Sequence, residues 1–410
     1  MLCSSRGLPN IKIVAYSKAM EIDFAKWPDF SGEEAKAVHD VLASNKVNYW
    51  TGGIGRSFEK NYAQAFDARH AIALANGTLA LDLALKALDI GQEDEVIVTP
   101  RSFIASVSSV ISVGATPIFA DVDKESGNIS PSAIEAVITE KTKAIIPVHL
   151  AGWPCDMRGI IALAKQHGLK VIEDCAQAHG AKIDGQSVGS FGDVGAWSFC
   201  QDKIMSTGGE GGMVTTNDEN LWQKMWSFKD HGKSWDAIYN REHPAGFRWL
   251  HESFGTNWRM MEMQAAIGNI QLQRMAEWTK NRNVNADAIR KALEPFESAL
   301  RVPVAPSNMN HAYYRQYGYI KQNGLKEGWN RDRIVEAITA LGYPAFQGSC
   351  SEIYLEKAFD DTGLRPERRL PIARELGETS IMFLTHPNIR PDQLAQYCAA
   401  IAGIFEQAAR

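Results

Sequence analysis

The sequence predicts an α/β protein, with a large domain on a mostly parallel sheet and a smaller α+β domain after it. Three observations carry the prediction. Short apolar runs alternate with stretches of helical period through the first half of the chain, the pattern of a parallel sheet covered by helices on both faces. The composition, 45% hydrophobic and 22% charged over 410 residues, can bury a large core. A breaker-poor segment from Met260 to Ala286 then separates this alternation from a sparser mixture of strands and helices. At about 150 residues per domain, the length allows two to three domains.

The elements follow in order. Residues 1–21 are unlike what comes next and are set apart as an N-terminal extension, with Lys12-Ile13-Val14 as a short candidate strand. Ser31 caps a helix that carries Glu33 and Glu34 in its first turn and runs to Ala43. The helical stretch Phe58–Phe66 leads into the apolar run Ala71–Ala75, and Asn76-Gly77-Thr78 opens a helix over Leu79–Leu88. Val96–Val98 is a strand ending at Thr99-Pro100, Ala105–Val113 a helix, and Thr116–Ala120 the next strand. Ser130 caps a helix to Ile138, and Ala144–Val148 is a strand. Asp156–His167 is a helix, and Leu169–Ile172 is a strand that ends in Glu173-Asp174. Met260–Ala286 reads as one long helix joining two domains, 22–280 and 281–410. In the second, Arg301–Val304, Tyr313–Ile320 and Met382–Leu384 read as strands and Arg331–Leu341 as a helix.

Charge and cysteine usage exclude several classes. The net charge is −5, without the basic surplus of a nucleic-acid binder. The short run Arg365, Arg368, Arg369 reads as a solvated face. Cys3, Cys155, Cys175, Cys200, Cys350 and Cys398 are thinly spread with no C-x-x-C pair, so neither a disulfide framework nor a zinc site is expected. No apolar run is long enough to span a membrane, and no secretory signal is supported. The expectation is a cytoplasmic protein in a reducing compartment, without a metal.

Four local patterns carry chemistry. Within Gly195–Asp218, Lys203 lies between a serine-aromatic pair and glycines 208, 209, 211 and 212, which let backbone pass close to a ligand. An arbitrary lysine is a surface charge; one on such a turn in an α/β chain is a candidate Schiff-base former. Asp174 ends a parallel strand, where open α/β sheets bind ligands. Alone it reads as a cap or a surface acid; functionally, it is an anion to keep the pyridine nitrogen of pyridoxal phosphate protonated. Gly77 and Thr78 start a helix whose free N–H groups suit a phosphate, as any helix start does. Phe103 follows a strand and either stacks on a flat ring or packs in the core. Neither a Walker loop nor a G-x-G-x-x-G fingerprint is present, which argues against a nucleotide-binding dehydrogenase.

Taken together, NGTLALDLAL, TPRSFIAS, EDCAQAHGA, SFCQDK and GGEGGMVTTND, then His231-Gly232 and NWRMMEMQAAIGNIQL, resemble the DegT/DnrJ/EryC1/StrS family. These are sugar-nucleotide aminotransferases with the aspartate-aminotransferase type of pyridoxal-phosphate fold (fold type I). The resemblance covers residue 22 to the C-terminus and weakens in the small domain. It implies that Lys203 bonds the cofactor and then shuttles protons, and that Asp174 partners the pyridine nitrogen. It places Gln177 beside the ring hydroxyl, Phe103 against the ring, and Gly77, Thr78 and Ser198 around the phosphate. Asn257 matches an asparagine that reaches the neighbouring subunit's phosphate, which implies a homodimer with shared active sites. The implied reaction moves an amino group from an amino acid, glutamate, to a keto sugar on a nucleotide diphosphate. The GGEGG turn resembles members acting at C4 of a 4-keto-6-deoxy sugar, in polysaccharide or antibiotic-sugar biosynthesis. Arg259 is a candidate for the donor carboxylate or the diphosphate, or else a structural ion pair.

Two departures matter. A dehydratase branch of the family has histidine where this chain has Lys203, so lysine favours transamination. GSCSEIYLEKAF, residues 348–359, replaces the tyrosine-proline motif of many relatives. The competing readings are a dehydratase on a similar sugar and a non-catalytic regulatory protein that kept the fold.

Overall fold

Strand and helix alternation produces a seven-stranded sheet in the computed structural model, which describes residues 24–243, 246 and 248–410. The N-terminal extension, with Lys12–Val14 and Cys3, lies outside the described residues. The strands are β1 (His70–Leu74), β2 (Glu95–Val98), β3 (Thr116–Phe119), β4 (Thr142–Ile146), β5 (Lys170–Asp174), β6 (Lys182–Ile183), β7 (Gln186–Ser187), β8 (Val194–Ser198), β9 (Gly212–Thr216), β10 (Leu300–Arg301), β11 (Met309–Asn310), β12 (Arg315–Ile320), β13 (Ala345–Phe346) and β14 (Ser380–Leu384). The helices are α1 (Gly32–Ser44), α2 (Ile54–Ala65), α3 (Gly77–Ala87), α4 (Ala105–Ser112), α5 (Pro131–Glu135), α6 (Met157–His167), α7 (Glu219–Lys229), α8 (Trp235–Tyr239), α9 (Glu262–Leu293), α10 (Arg331–Ala340), α11 (Pro371–Thr379) and α12 (Pro391–Ala408).

The large sheet runs β1-β9-β8-β5-β4-β2-β3, parallel throughout except for β9, which is antiparallel to both its neighbours. Side chains alternate between two cores, as the pleat requires. Ile72, Leu74, Val96, Val98, Ile146 and Ile172 fill one face. Ala71, Ala73 and Trp197 pack on the other, as do Ile97, Ile145 and Val171. Burial on both faces explains why these strands read as continuous apolar runs. Asn76 and Asp156 cap helices that the sequence predicts, and Asp218 caps α7, which it does not; each accepts a hydrogen bond from the third backbone N–H beyond. Gly168, at φ 67°, ends α6 in the left-handed region.

A second sheet, β10-β12-β14-β13, is wholly antiparallel. Ile320 and Phe383 bury against α10, α12 and the C-terminal end of α9 through Ile334, Phe405 and Ile289. No helix among the described residues is long and apolar enough to cross a membrane.

Several boundaries differ from the sequence reading. The helix after Ser130 stops at Glu135, and the strand expected over Arg301–Val304 is Leu300–Arg301, because Pro303 has no N–H for a ladder. The joining helix extends to Leu293, whose side chain enters the second core. A three-stranded sheet, β11-β6-β7, was not foreseen, since two-residue strands have no period to detect. Arg365 and Arg369 of the basic run are exposed but ion-paired, with Asp360 and Glu352. What positions the site is direction: the C-terminal ends of β1, β2, β5 and β8 share one edge. Asn76-Gly77, the loop 99–103, Asp174 and Ser198 therefore converge there.

Candidate active site

Above that edge lies a cavity of about 540 Å³, walled by both sheets' loops, with Phe103, Gln177, Lys203, Tyr314, Arg315 and Cys350 in its lining. Lys203 sits on the turn after β8. Its N–H donates to Cys200 O at 3.0 Å, and its carbonyl accepts Trp27 Nε1–H at 2.7 Å, so the backbone is pinned at both ends. Its Nζ lies 3.4 Å from Asp202 Oδ1 and 5.5 Å from the Tyr314 ring centroid. The Tyr314 hydroxyl donates to the other Asp202 oxygen. Burial favours the neutral amine, but Tyr314 and Asp202 outweigh it and hold the Lys203 pKa above the usual lysine value. Asp202 is pushed up by burial and pulled down further by Lys203, Tyr314 and Arg315, ending below the usual carboxylate range.

Asp174 is 5% exposed at the end of β5. Ser106 Oγ–H donates to Oδ2 at 2.7 Å and Ala176 N–H to Oδ1 at 3.1 Å. Burial raises its pKa, only partly offset by these donors, Lys203 and His149. No cation among the described residues lies within ion-pair distance of it, so this buried carboxylate has no ion-pair partner.

Beneath Asp174, Glu173 is fully buried and satisfied. Its oxygens accept N–H donors from Gly189 at 2.8 Å, Phe191 at 2.8 Å and Gly192 at 2.7 Å. His149 Nε2 contacts Oε2 at 3.1 Å; Cys155 N–H occupies His149 Nδ1 at 2.9 Å, which makes Nε2 the protonated nitrogen. Glu173, His149 and Cys175 have metal-ligand chemistry within 4.8 Å of one another. The carboxylate and imidazole are already committed to protein donors, which argues for a structural clasp joining the ends of β4 and β5. Glu173→Gln sets an amide against those donors. It is expected to cost about 2–4 kcal/mol of stability in urea unfolding; an unchanged midpoint would refute the clasp.

At the start of α3, Gly77 meets Ser198: a Cβ built on Gly77 would lie 2.5 Å from the Ser198 Cβ. One built on Gly212 would lie 2.2 Å from Asn76 O. Glycine at both positions lets the helix start sit against β8 and β9, with Thr78 next in the first turn. Phe103 is 68% exposed and lines the cavity, so it is not core. Gln177 Oε1 accepts Ala151 N–H at 2.7 Å, leaving its amide N–H groups without a partner among the described residues.

Asn257 does not join this group. It is exposed, pairs through its backbone with Asp230, and does not line the cavity. Arg259 is ion-paired with buried Asp230 at 2.7 Å and does not line the cavity. Asp230 also accepts Trp50 Nε1–H at 2.9 Å.

Sequence reasoning missed Ser106, Asp202, Tyr314 and Arg315. Ser106 lies one helical turn after Phe103, a spacing that could have flagged it. Tyr314 reaches Asp202 across 112 residues, which no local pattern reports. The divergent segment 348–359 is cavity wall, through Ser349, Cys350, Ile353 and Glu356. It is stitched to the loop after β2 by Ser102 N–H to Cys350 O at 3.1 Å and Ile353 N–H to Pro100 O at 3.0 Å. Buried Arg101 adds Nε–H to Ser351 Oγ at 2.9 Å.

A crystal structure of an aminotransferase from Psychrobacter cryohalolentis is 61% identical, with a TM-score of 0.92 over 93% of this chain and 99% of that one. The UDP-N-acetyl-3-dehydro-α-D-glucosamine 3-aminotransferase of Acidithiobacillus ferrooxidans is 37% identical over 355 residues, 87% of this chain and 89% of that protein. The GDP-perosamine synthase of Escherichia coli O157:H7 is 35% identical over 374 residues, 91% of this chain and 96% of that protein. The sequence pattern of one family spans residues 28–402, and the mixed α/β fold is that of its aminotransferases. The chain belongs to the DegT/DnrJ/EryC1/StrS aminotransferase family.

Proposed function

We propose that the protein is a pyridoxal-phosphate-dependent aminotransferase acting on a nucleotide-linked keto sugar. The donor is glutamate, and the amino group goes to C4 of a 4-keto-6-deoxy sugar. The observation that carries the reading is the pairing, at one sheet edge, of cavity-lining Lys203 with the buried, uncompensated carboxylate of Asp174. A cationic pyridine nitrogen supplies the missing charge. The helix start at Gly77 and Thr78, close against Ser198, offers N–H groups and a hydroxyl for a phosphate. These residues fit the cofactor: Phe103 would stack on its ring, Gln177 would hydrogen-bond the ring hydroxyl, and Lys203 would bond it covalently.

When bound, pyridoxal phosphate supplies an electron sink that accepts and passes on the amino group. Lys203 Nζ takes the proton from the donor's α-carbon and returns one to the sugar carbon in the second half of a ping-pong cycle. Asp202 and Tyr314 steady the ammonium that Lys203 becomes on taking that proton. Asp174, oriented by Ser106 and Ala176, would hold positive charge at the ring nitrogen. The wall of Ser349, Cys350 and Glu356 faces the sugar. Asn257 belongs to the same reading through a homodimer, in which it completes the partner's site. The division at residue 280, within α9, separates a large cofactor-binding domain from the small domain that brings Tyr314 and Arg315. The setting is cytoplasmic.

The test is spectroscopic. Protein loaded with pyridoxal phosphate is expected to show a visible band that glutamate bleaches and a nucleotide-linked keto sugar restores. Nuclear magnetic resonance of the product then places the nitrogen. Nitrogen at C3, the position in the Acidithiobacillus relative's name, would overturn the C4 assignment alone. Loss of a hydroxyl without nitrogen would mean a dehydratase. Bound cofactor that reacts with no amine would mean a regulatory protein.

A further inference from the structure

The lining of the cavity includes one guanidinium, Arg315, with no carboxylate within ion-pair distance among the described residues. Arg315 opens β12 and lines the cavity with Lys203. Its Nη1–H donates to Tyr314 O at 2.8 Å, and its Cζ lies 4.0 Å from the Tyr314 ring centroid. Among the described residues, Nε and Nη2 have no acceptor and no carboxylate lies within ion-pair distance. The contrast with Arg259 is direct, since that guanidinium is spent on Asp230. Asp202, the nearby acid, already receives Tyr314 and Lys203.

Geometry selects the ligand. A guanidinium braced by an aromatic face, with Nε–H and Nη2–H free along one edge, matches the two oxygens of a carboxylate. Lys203 Nζ lies 5.5 Å from the same Tyr314 ring, and both residues line the one cavity. In an α-amino acid the carboxylate is bonded to the carbon that loses its proton. In a sugar nucleotide the diphosphate hangs from C1, several bonds from a keto carbon at C3 or C4. Proximity to Lys203 therefore favours the donor's carboxylate over the acceptor's diphosphate.

We propose that Arg315 binds the α-carboxylate of the amino-acid donor, and of the 2-oxo acid it leaves, and so sets which amines the site accepts. The proposal rests on the aminotransferase reading above. The two half-reactions separate the possibilities. Holoenzyme is mixed with L-glutamate in single turnovers, and Arg315→Met and Arg315→Lys are compared with the unaltered chain. Arg315→Met is expected to raise the glutamate half-saturation by about 10- to 100-fold, with Arg315→Lys intermediate. The half-saturation for the keto-sugar nucleotide in the return half should move less than threefold. Binding of 2-oxoglutarate to the cofactor-free protein, measured by calorimetry, should weaken in parallel. An unchanged glutamate half-saturation overturns the proposal, as does an effect confined to the sugar nucleotide, which would assign Arg315 to the diphosphate. If Arg315→Met fails to fold, Arg315→Lys alone decides. Unaltered holoenzyme that no amino acid bleaches would sink the aminotransferase reading instead, a result distinct from any of these.

Discussion

Lys203→Ala is expected to lower multiple turnover by about 10⁴-fold or more while leaving the protein folded. Two roles would be lost together, the covalent hold on the cofactor and the proton carrier at the α-carbon. The fold should survive because the lysine's structural bonds are made by its backbone, to Cys200 and Trp27. The side chain's ion partner, Asp202, is 49% exposed and keeps the Tyr314 hydroxyl as a donor. Its charge is therefore not stranded, and stability should change by less than about 1 kcal/mol. The loaded variant should also lose the visible band of covalently held cofactor. Steady-state turnover with glutamate and a keto-sugar nucleotide checks the first statement, and thermal unfolding checks the second. Retained multiple turnover would remove Lys203 from the centre of the mechanism. Lost turnover with a collapsed fold would leave the role open to the milder Lys203→Arg, which keeps charge and bulk but cannot form the covalent link.

Much of this arrangement is legible in the sequence because it is local. Asn76 and Asp156 announce helix starts by a side chain bonding three residues on. Asp174 announces itself by ending an apolar run in a parallel sheet, and Lys203 by standing before glycines with φ of 87° and 114° at Gly208 and Gly209. What is not legible is whatever the fold brings together from far apart. The sequence reading singles out Arg259 and passes over Arg315. Only the structure shows one neutralised by Asp230 and the other open to the cavity. The Glu173 clasp is equally hidden, since its donors are backbone N–H groups of Gly189, Phe191 and Gly192 and the ring of His149, which no local side-chain pattern ties to it.

Asp174→Asn tests the opposite balance, a residue that costs stability and supplies function. Burial raises the carboxyl pKa above its unfolded value, so the folded cofactor-free protein holds a proton that the unfolded chain releases. By linkage, that protein loses stability as pH rises from the ordinary carboxylate range through the raised folded pKa. Below that window the penalty vanishes; above it the penalty is complete. Asparagine removes the charge and keeps the shape: its carbonyl oxygen can still accept Ala176 N–H, while its NH2 faces Ser106 Oγ, which then accepts instead of donating. The cofactor-free variant is therefore expected to melt no lower than the unaltered protein at neutral pH, and relatively less favourably as the solution is acidified. Catalysis should move the other way. Without an anion at the ring nitrogen, the donor half-reaction should slow by about 100- to 1000-fold, and the cofactor should bind more weakly. Single-turnover bleaching by glutamate reads the rate, and melting curves across pH read the stability. A variant that bleaches within threefold of the normal rate would show that Asp174 is a buried acid without a catalytic partner. The uncompensated carboxylate would then need another cation to explain it.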